Sequence, residues 1–540
     1  MSLGKRNKTA PEGVSARQVR SYYENADKKK TAKTAGIIAA VMVVLFAAAL
    51  FVNSNYIRRH ATAVTIGEMK YSAVEFNYYY YDSYMTYANW VYSNLSSLGD
   101  ASAYLPDSKP WKSQYYDEAA GQTWADFFAS MALETMTENA RIRTEAKQKG
   151  YVLPDEKRAE LDKEFADLEE QYTGGAFQKQ LVTSYGKGMT VAVYKKINDD
   201  LALADAYSEY VEDSFSYTEE ALDAYYGEKV DLLDTFTYRY MLINSATVTE
   251  TDYETTEAYE AAQAEALAVA QSAADELAAG VRSEEDFIAA AKAYGESVYD
   301  EESGSALQYA EPASTLRYYK GELLGSIYGE WMREAGRKYG DVNTFPLTTG
   351  SGVYVVYFID RSDNEYPTAS LRRILITPEA VDSAQYAEDE TTDAYDAAVA
   401  KALTDAAAKA KTLYDEWVSG GATEEAFIAL MADNSSDTAE EGLYEFVHKK
   451  QLANAVDDWL FAPGRKTGDS ELTEVSEGEQ LTGEQGTEPT GWYLLYYVGE
   501  GQSYHDYLAE TGNRAADVTA WNEALPELTS VNHWAFRLAE

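Results

Sequence analysis

Four short segments of this 540-residue chain occur twice, in the same order. Chance easily produces one such agreement, whereas four agreements in register indicate an internal repeat. The repeat constrains the fold because two different sequences must form the same structure. The matching pairs are 239–243 (RYMLI) with 372–376 (RRILI), 283–289 (SEEDFIA) with 423–429 (TEEAFIA), 337–341 (RKYGD) with 465–469 (RKTGD), and 352–357 (GVYVVY) with 491–496 (GWYLLY).

Both copies show the same order of elements. A β-rich run is followed by a long alanine-rich helix, a short helix, a glycine-containing stretch and a closing run of apolar residues. Alternating apolar positions indicate strands, and a 3.6-residue period indicates helices. We therefore predict two α/β modules, module one at 231–364 and module two at 365–502. Module two carries an insertion at 470–490, rich in Glu, Gly and Thr, which we predict to be a mobile acidic loop.

The sequence on either side of the repeat is predicted to be mainly helical. Residues 58–230 open with a short strand at 63–69 and continue as amphipathic runs, with Gly150 and Pro154 marking the boundary between two helices. Residues 503–540 are predicted to be a C-terminal helical extension. The predicted fold class is therefore α+β.

An apolar run near the N-terminus predicts a membrane anchor. Residues 35–52 read AGIIAAVMVVLFAAALFV, with no charge and no proline. Because spanning hydrocarbon takes about 20 apolar residues, we predict a single transmembrane helix at 35–57. The basic segment 1–34 is then a cytoplasmic tail, and 58–540 is extracytoplasmic. A cleaved signal peptide is the alternative, and it also exports the body of the protein.

Composition limits the chemistry that the chain can perform. It has no cysteine, four scattered histidines and a formal charge of −44. These features exclude a disulfide framework and cysteine-based catalysis or metal binding, and we expect no metal and no other cofactor. The negative charge argues against a nucleic-acid partner. The 46 tyrosines suit loose contacts with many polypeptides, since tyrosine offers a large contact area at low entropy cost.

The order of elements in each copy resembles the parvulin (PpiC-type) peptidyl-prolyl cis-trans isomerase domain. In module two, RRIL at 372–375 stands where the family has Arg-His-Ile-Leu, and NSSD at 434–437 resembles the family's Tyr-Ser-x-Asp. EGLY at 441–444 stands for its Gly-Gly-x-Leu-Gly turn, and GWY at 491–493 for its final Gly-x-His. Together with 58–230, which ends in a helix similar to one of theirs, the chain resembles the PrsA and SurA foldases: a SurA-like helical chaperone domain with two parvulin-like domains.

The resemblance implies a polar cluster and an apolar proline pocket in each module. In module two the cluster is Asp437, Arg373 and Tyr493, of which the last two replace the family's histidines, and the pocket is Leu452, Val456 and Phe461. The corresponding residues of module one are Tyr240, Ser297, Tyr354, Leu324 and Tyr328. The repeated Trp331 and Trp459 are predicted to be buried packing residues. Because both histidines are replaced in both copies, the resemblance leaves isomerase activity open.

Three functional hypotheses follow. The first is a membrane-anchored extracytoplasmic foldase, a peptidyl-prolyl isomerase whose partners are unfolded or proline-containing exported polypeptides. The second is a noncatalytic holdase chaperone that uses the two modules as peptide-binding platforms. The third, from another class, is a structural surface protein.

Overall fold

A computed structural model describes residues 37–45, 55–299, 307–382, 392–437, 439–475 and 489–539. The α-helices are α1 (37–45), α2 (Tyr56–His60), α3 (Ala73–Ser93), α4 (Leu95–Leu98), α5 (Trp124–Lys149), α6 (Asp155–Gln171), α7 (Ala176–Tyr185), α8 (Val191–Ser214), α9 (Glu219–Glu228), α10 (Val230–Leu233), α11 (Thr256–Gly280), α12 (Glu284–Val298), α13 (Gly329–Arg333), α14 (Thr392–Ser419), α15 (Glu424–Asn434), α16 (Asn454–Leu460) and α17 (Tyr504–Ala524). The strands are β1 (Thr62–Ile66), β2 (Met69–Ser72), β3 (Tyr115–Asp117), β4 (Gln122–Thr123), β5 (Thr235–Asn244), β6 (Leu316–Lys320), β7 (Val342–Pro346), β8 (Gly352–Ser362), β9 (Pro367–Ile376), β10 (Leu443–Val447), β11 (Ser470–Val475), β12 (Gly491–Ser503) and β13 (Ser530–Asn532).

The predicted α+β class is confirmed. The predicted transmembrane helix at 35–57 is wrong for the part of the chain that the structure describes. Among the residues that the structure describes, no helix is long and apolar enough to cross a membrane. The described part of the apolar run, α1, would rise about 14 Å at 1.5 Å per residue, about half of a hydrocarbon core. Residues 35–36 and 46–54 lie outside the described residues, and so does the predicted cytoplasmic tail 1–34.

The chain divides into two compact units, and one of them is discontinuous in sequence. We call them the N-terminal unit, Met1–Ser216 with Asp517–Glu540, and the tandem unit, Tyr217–Ala516. The tandem unit contains both modules. The predicted C-terminal extension 503–540 is shared: α17 begins in the tandem unit, and the chain from Asp517 onward belongs to the N-terminal unit.

The two long helices at the centre of the N-terminal unit have well-defined ends. Helix α3 begins with a capping box in which Ser72 and Glu75 exchange hydrogen bonds, and Thr123 and Asp126 do the same for α5. Helix α5 ends at Gly150, whose φ of 71° places it in the left-handed region that glycine tolerates. These signals can be read in the sequence and explain why the two helices start and stop where they do.

The C-terminal segment completes the N-terminal unit. Strand β13 pairs antiparallel with β1, with Val64 opposite Asn532, and gives the sheet order β13-β1-β2. The following 3-10 turn buries Ala535 and places the Phe536 ring 4.6 Å from the Phe76 ring of α3. The predicted helical extension therefore ends in a strand and a turn.

The tandem unit contains two four-stranded antiparallel sheets with the same connectivity. Their orders are β6-β5-β8-β7 and β10-β9-β12-β11, so the first strand of each module lies between its second and fourth. One face of each sheet, the long-helix face, packs against α11 and α12 or against α14 and α15. The other, the short-helix face, packs against the segment that contains α13 or α16.

A repeated arginine fixes α12 to β5 in module one and α15 to β9 in module two. Arg239 Nε lies 2.8 Å from Glu284 Oε1, at the start of α12. Arg372 Nε lies 2.7 Å from Glu424 Oε1, at the start of α15. Both arginines also donate to a backbone carbonyl, that of Pro312 or that of Glu441. The matching segments of the repeat therefore encode equivalent contacts.

The predicted mobile loop at 470–490 is partly wrong. Residues Ser470–Val475 form β11, an edge strand that pairs in register with β12. Residues 476–488 lie outside the described residues. Strand β11 takes the place that β7 holds in module one, so the backbone of β12 is paired on both sides.

Candidate functional site

The candidate site of each module lies on the short-helix face. Alternate residues of a strand point to opposite faces of its sheet. In module two this places Leu371, Arg373 and Leu375 of β9 on one face together with Tyr493 of β12, which pairs with Leu375. In module one, Tyr240 and Tyr354 occupy the matching positions on β5 and β8. The predicted residues Arg373, Tyr493, Tyr240 and Tyr354 therefore lie on the short-helix faces of their modules.

In module two, Arg373, Asp437 and Tyr444 form a closed polar triangle. Arg373 Nε donates to Asp437 Oδ2 at 2.6 Å, and its Nη2 donates to the Tyr444 hydroxyl at 2.6 Å. The same hydroxyl donates to Asp437 Oδ1 at 2.7 Å. The side chains of Arg373 and Asp437 are only 7% and 3% exposed. The two charges thus neutralise each other away from solvent.

Electrostatics keeps Asp437 ionised. Burial alone raises the pKa of this carboxyl group, but the hydrogen bond from Tyr444 and the charge of Arg373 outweigh burial, so its pKa lies below the ordinary value. The backbone N–H of Ala439 also donates to Asp437 Oδ1, at 3.1 Å. At neutral pH the group is therefore a carboxylate whose lone pairs already accept several hydrogen bonds.

The glycine turn of module two permits this arrangement. Gly442 has a φ of 64°, and a Cβ added there would lie 2.5 Å from the carbonyl oxygen of Arg373. Only glycine tolerates both the conformation and the contact. The EGLY motif therefore brings Tyr444 against the central strand, which is how the triangle closes.

Most of the residues predicted to line a proline pocket in module two are buried in its core. Leu452 is 6% exposed, and Val456 and Tyr493 are 0% exposed. The Tyr493 hydroxyl donates to the carbonyl oxygen of Pro489 at 2.7 Å, and only Phe461 of the predicted set is half-buried at the edge. Trp459 is buried, as predicted. In this structure, Leu452 and Val456 offer almost no surface to a bound proline.

Module one presents a different surface on the equivalent face. Five aromatic side chains are half-buried there, around the buried Leu324, Tyr328 and Tyr238; we call these five the aromatic face. They are Tyr240, Tyr319, Trp331, Phe345 and Tyr354. Trp331 is therefore less buried than predicted.

The rings of the aromatic face touch one another. The Tyr240 and Tyr354 centroids are 5.7 Å apart, and Trp331 meets Phe345 edge to face at 5.5 Å. Tyr328 meets Tyr354 edge to face at 5.7 Å. Such T-shaped pairs are favoured by the quadrupoles of the rings and hold them in place. The half-buried rings of the aromatic face are thus joined to one another through the buried Tyr238 and Tyr328.

Arg317 lies at one end of the aromatic face. Its guanidinium group stacks 4.5 Å from the Tyr240 ring centroid, and its Nη2 donates to the Tyr240 hydroxyl at 2.9 Å. Within the described residues, no carboxylate oxygen lies at ion-pair distance from Arg317. Arg317 therefore gives the aromatic face a positive charge. No described acidic neighbour cancels this charge, whereas Asp437 cancels the charge of Arg373.

Each module stacks an arginine on a tyrosine of the adjacent strand, but the strands that carry the two residues are reversed between the modules. Arg373 on β9 stacks on Tyr444 of β10, whereas Arg317 on β6 stacks on Tyr240 of β5. Arg317 and Tyr444 were not among the predicted site residues, and Tyr444 was assigned to the glycine turn. Pairing the strand segments 316–320 (LRYYK) and 443–447 (LYEFV) at their leading leucines would have revealed the reversal.

The remaining predicted residue, Ser297, does not join the site. Its exposed side chain lies in the last turn of α12 and donates to the carbonyl oxygen of Tyr294 in the same helix. In the described residues it makes no hydrogen bond to Tyr240 or Tyr354. Module one therefore has no counterpart of Asp437 among its predicted residues.

The hydroxyl groups of Tyr238 and Tyr328 in module one are unsuited to release a proton. Burial raises the pKa of Tyr238 and of Tyr328 above the ordinary tyrosine value, and the two hydroxyl groups lie 3.0 Å apart. Both stay protonated at neutral pH. Neither short-helix face brings together three histidine or carboxylate groups in the described residues, so neither offers a metal site.

Comparison with known proteins adds no identification. No protein-family model matches the chain, and no curated protein matches it.

Proposed function

We propose that this protein is a noncatalytic peptide-binding chaperone that holds unfolded, proline-containing polypeptides on the aromatic face of module one. The observation that carries the proposal is that face: five half-buried aromatic rings beside the arginine Arg317. Aromatic-lined grooves bind proline-rich segments because the preformed polyproline II helix of these segments loses little entropy when it docks.

The chemistry of the aromatic face fits a polypeptide in an extended conformation. Rigid tyrosine and tryptophan rings provide contact area at low entropy cost, and they dominate the energy of many peptide and protein interfaces. Arg317 offers donors for the backbone carbonyl groups that an unfolded chain exposes. The sequence specificity of such a surface is low, which suits a holdase.

The N-terminal unit supports the proposal with a second aromatic surface. Trp90 is 52% exposed and its ring lies 5.8 Å from Tyr87, which also contacts Phe127 at 5.3 Å. Tyr116, 43% exposed, stacks on Phe127 at 4.1 Å. Large aromatic groups exposed together usually mark a binding surface.

Catalysis in module two is the runner-up, and its geometry counts against it. An isomerase must hold a twisted proline bond better than a planar one, and the family that module two resembles uses two histidines beside a pocket. Here the acidic group is bound to Arg373 and Tyr444, while Leu452 and Val456 are buried. We assign module two a scaffold role.

Binding of an unfolded proline-containing peptide to the full chain tests the proposal. We expect Trp331→Ala and Tyr354→Ala to weaken binding, measured by fluorescence anisotropy, about tenfold or more, as is usual for central aromatic residues of an interface. Tyr253→Ala is the matched control: it removes an exposed tyrosine of module one that precedes α11, on the long-helix side. Equal affinities for all three variants and the wild type, or no binding at all, would refute the proposal.

A proline-limited refolding assay separates the two candidates. The noncatalytic proposal predicts that the full chain leaves the rate of the slow refolding phase unchanged. Acceleration of this phase that is lost in Asp437→Ala would instead assign isomerase activity to module two.

A further inference from the structure

A mixed histidine and carboxylate cluster lies in the tandem unit, outside the sites described above. Helix α9 carries Asp223 and Tyr226 three residues apart, which places them on one side of the helix. His505 and Asp506 are in the first turn of α17. Helix α9 precedes module one and α17 follows module two, so the cluster joins the two ends of the tandem repeat.

The imidazole group of His505 is held in a fixed orientation. Its ring stacks on the Tyr226 ring with centroids 3.8 Å apart and planes 22° apart, and its side chain is only 10% exposed. Nδ1 lies 3.2 Å from Asp506 Oδ1, and Nε2 lies 3.9 Å from Glu365 Oε1. One donor atom from each of Asp223, His505 and Asp506 lies within 4.8 Å of the other two.

The carboxylates of this cluster differ from several ion-paired carboxylates of the protein in what faces them. The pairs Glu75–Lys196, Asp234–Arg361, Asp437–Arg373 and Asp457–Lys450 each place a cation beside an inward-facing carboxylate, whereas the half-buried Asp82 and Glu145 have none at ion-pair distance in the described residues. In the part of the chain that the structure describes, Asp223, Asp506 and Glu365 have no lysine or arginine nitrogen at ion-pair distance. Three negative charges thus meet around one imidazole without a protein cation.

We propose that Asp223, His505 and Asp506 bind a divalent transition-metal ion of the zinc class. One imidazole nitrogen and two carboxylate oxygens are a donor set that suits zinc, whereas calcium and magnesium favour oxygen donors alone. His505 Nδ1, which faces Asp506, is the ligand nitrogen. Nε2 faces Glu365, and a metal-bound histidine commonly directs its second nitrogen toward a carboxylate that fixes the ring.

The exposure of the ligands defines the kind of site. Asp223 is exposed and Asp506 is half-buried, so the ion can enter from solvent and keeps water in its remaining coordination positions. The bound ion supplies the positive charge that the cluster lacks, and it links α9 to α17. We therefore expect it to stabilise the contact between α9 and α17, independently of peptide binding.

Zinc binding to the full chain tests the proposal. With a chromophoric chelator as competitor, the wild type should bind one zinc equivalent whose affinity falls at least about tenfold in Asp223→Asn and in His505→Asn. Asp223→Asn changes an exposed position and should leave folding intact. His448→Asn is the matched control, because His448 also stacks on a tyrosine, Tyr504 at 4.4 Å, but does not belong to the cluster.

Thermal unfolding provides the second readout. Zinc at about 100 times its dissociation constant should raise the Tm of the wild type by a few degrees, about 4 °C, and calcium at the same concentration should not. Equal zinc affinity in the wild type, Asp223→Asn and His505→Asn would overturn the proposal. An increase in the Tm of the metal-free protein on acidification, with no further increase on addition of zinc, would also overturn the proposal.

Discussion

At the scale of single residues, Arg373 shows how one substitution changes what a site can do. Arginine is permanently charged and offers several donors in a planar fork, whereas the histidine that it replaces in the resemblance can be neutral. Arg373 therefore binds Asp437 and Tyr444 at once. In module one the reversed pair, Arg317 and Tyr240, has no acidic member and remains at a half-buried surface. The two modules thus differ in accessibility more than in fold.

The buried ion pair makes a first prediction. Asp437→Asn leaves the Arg373 charge without its partner, and removing one member of a buried pair typically costs about 3–5 kcal/mol. We expect the free energy of local opening of β9 and β12, measured by hydrogen–deuterium exchange, to fall by this amount. Asp415→Asn, which breaks the exposed pair between Asp415 and Lys411, is the control and should cost less than about 1 kcal/mol. Similar costs for both variants would contradict the prediction.

Asp437 also predicts a pH dependence of definite sign. Because its pKa is lower in the folded chain than its unfolded value of about 3.9, it contributes stability above that pH and loses the contribution as pH falls through the folded pKa. The stability difference between the wild type and Asp437→Asn should be complete at pH 6 and shrink below about pH 4. Hydrogen exchange of β9 at a series of pH values measures it, and a difference that grows on acidification would be inconsistent with this sign.

At the scale of elements, local signals fixed most boundaries, and pairing partners fixed the rest. The strands β5, β8, β9 and β12 and the long helices α11 and α14 follow from apolar periodicity and from the repeat. Strand β11 was predicted as loop because its sequence, SELTEV, is polar; only pairing with β12 makes it a strand. Strand β13 is three exposed residues with no strand signal of its own. Edge strands are the elements that the sequence identifies least well, because their hydrogen bonds lie with distant residues.

The C-terminal turn makes an element-level prediction. Phe536→Ala removes a half-buried ring that packs on Phe76, and it should destabilise the N-terminal unit by about 2–3 kcal/mol. Trp534→Ala, two residues away in the same turn and 66% exposed, should change stability by less than about 0.5 kcal/mol. Hydrogen exchange of α3 measures both variants. A larger loss for Trp534→Ala would show that the turn packs differently.

At the scale of the whole molecule, the tandem unit is inserted between two parts of the N-terminal unit. Residues 1–216 and 517–540 form one compact unit although 300 residues separate them. Pairing of the last segment with β1 therefore closes a loop that contains both modules. A long sequence separation slows such pairing, since the entropy of closing the loop is lost before the contacts form.

Truncation tests this organisation. A chain ending at residue 525 lacks β13 and the turn that contains Ala535 and Phe536. We expect hydrogen exchange in β1, β2 and α3 to accelerate at least about tenfold, because β1 loses a hydrogen-bonded neighbour and the core loses buried groups. Exchange in β9 and β12 of the tandem unit should stay unchanged. Acceleration in both units alike would mean that they do not behave as separate bodies.

The sequence by itself determined the α+β class, the duplication and the strand positions of the candidate site, because periodicity and residue-level repeats are local properties. It could not determine which side chains remain accessible. Arg373 and Arg317 are both arginines on the short-helix face, yet one is bound to a buried carboxylate and the other lies beside half-buried rings. That difference depends on partners distant in sequence, such as Asp437, and on packing around Leu452 and Val456. Accessibility is a property of the folded surface, and only the tertiary structure decided it.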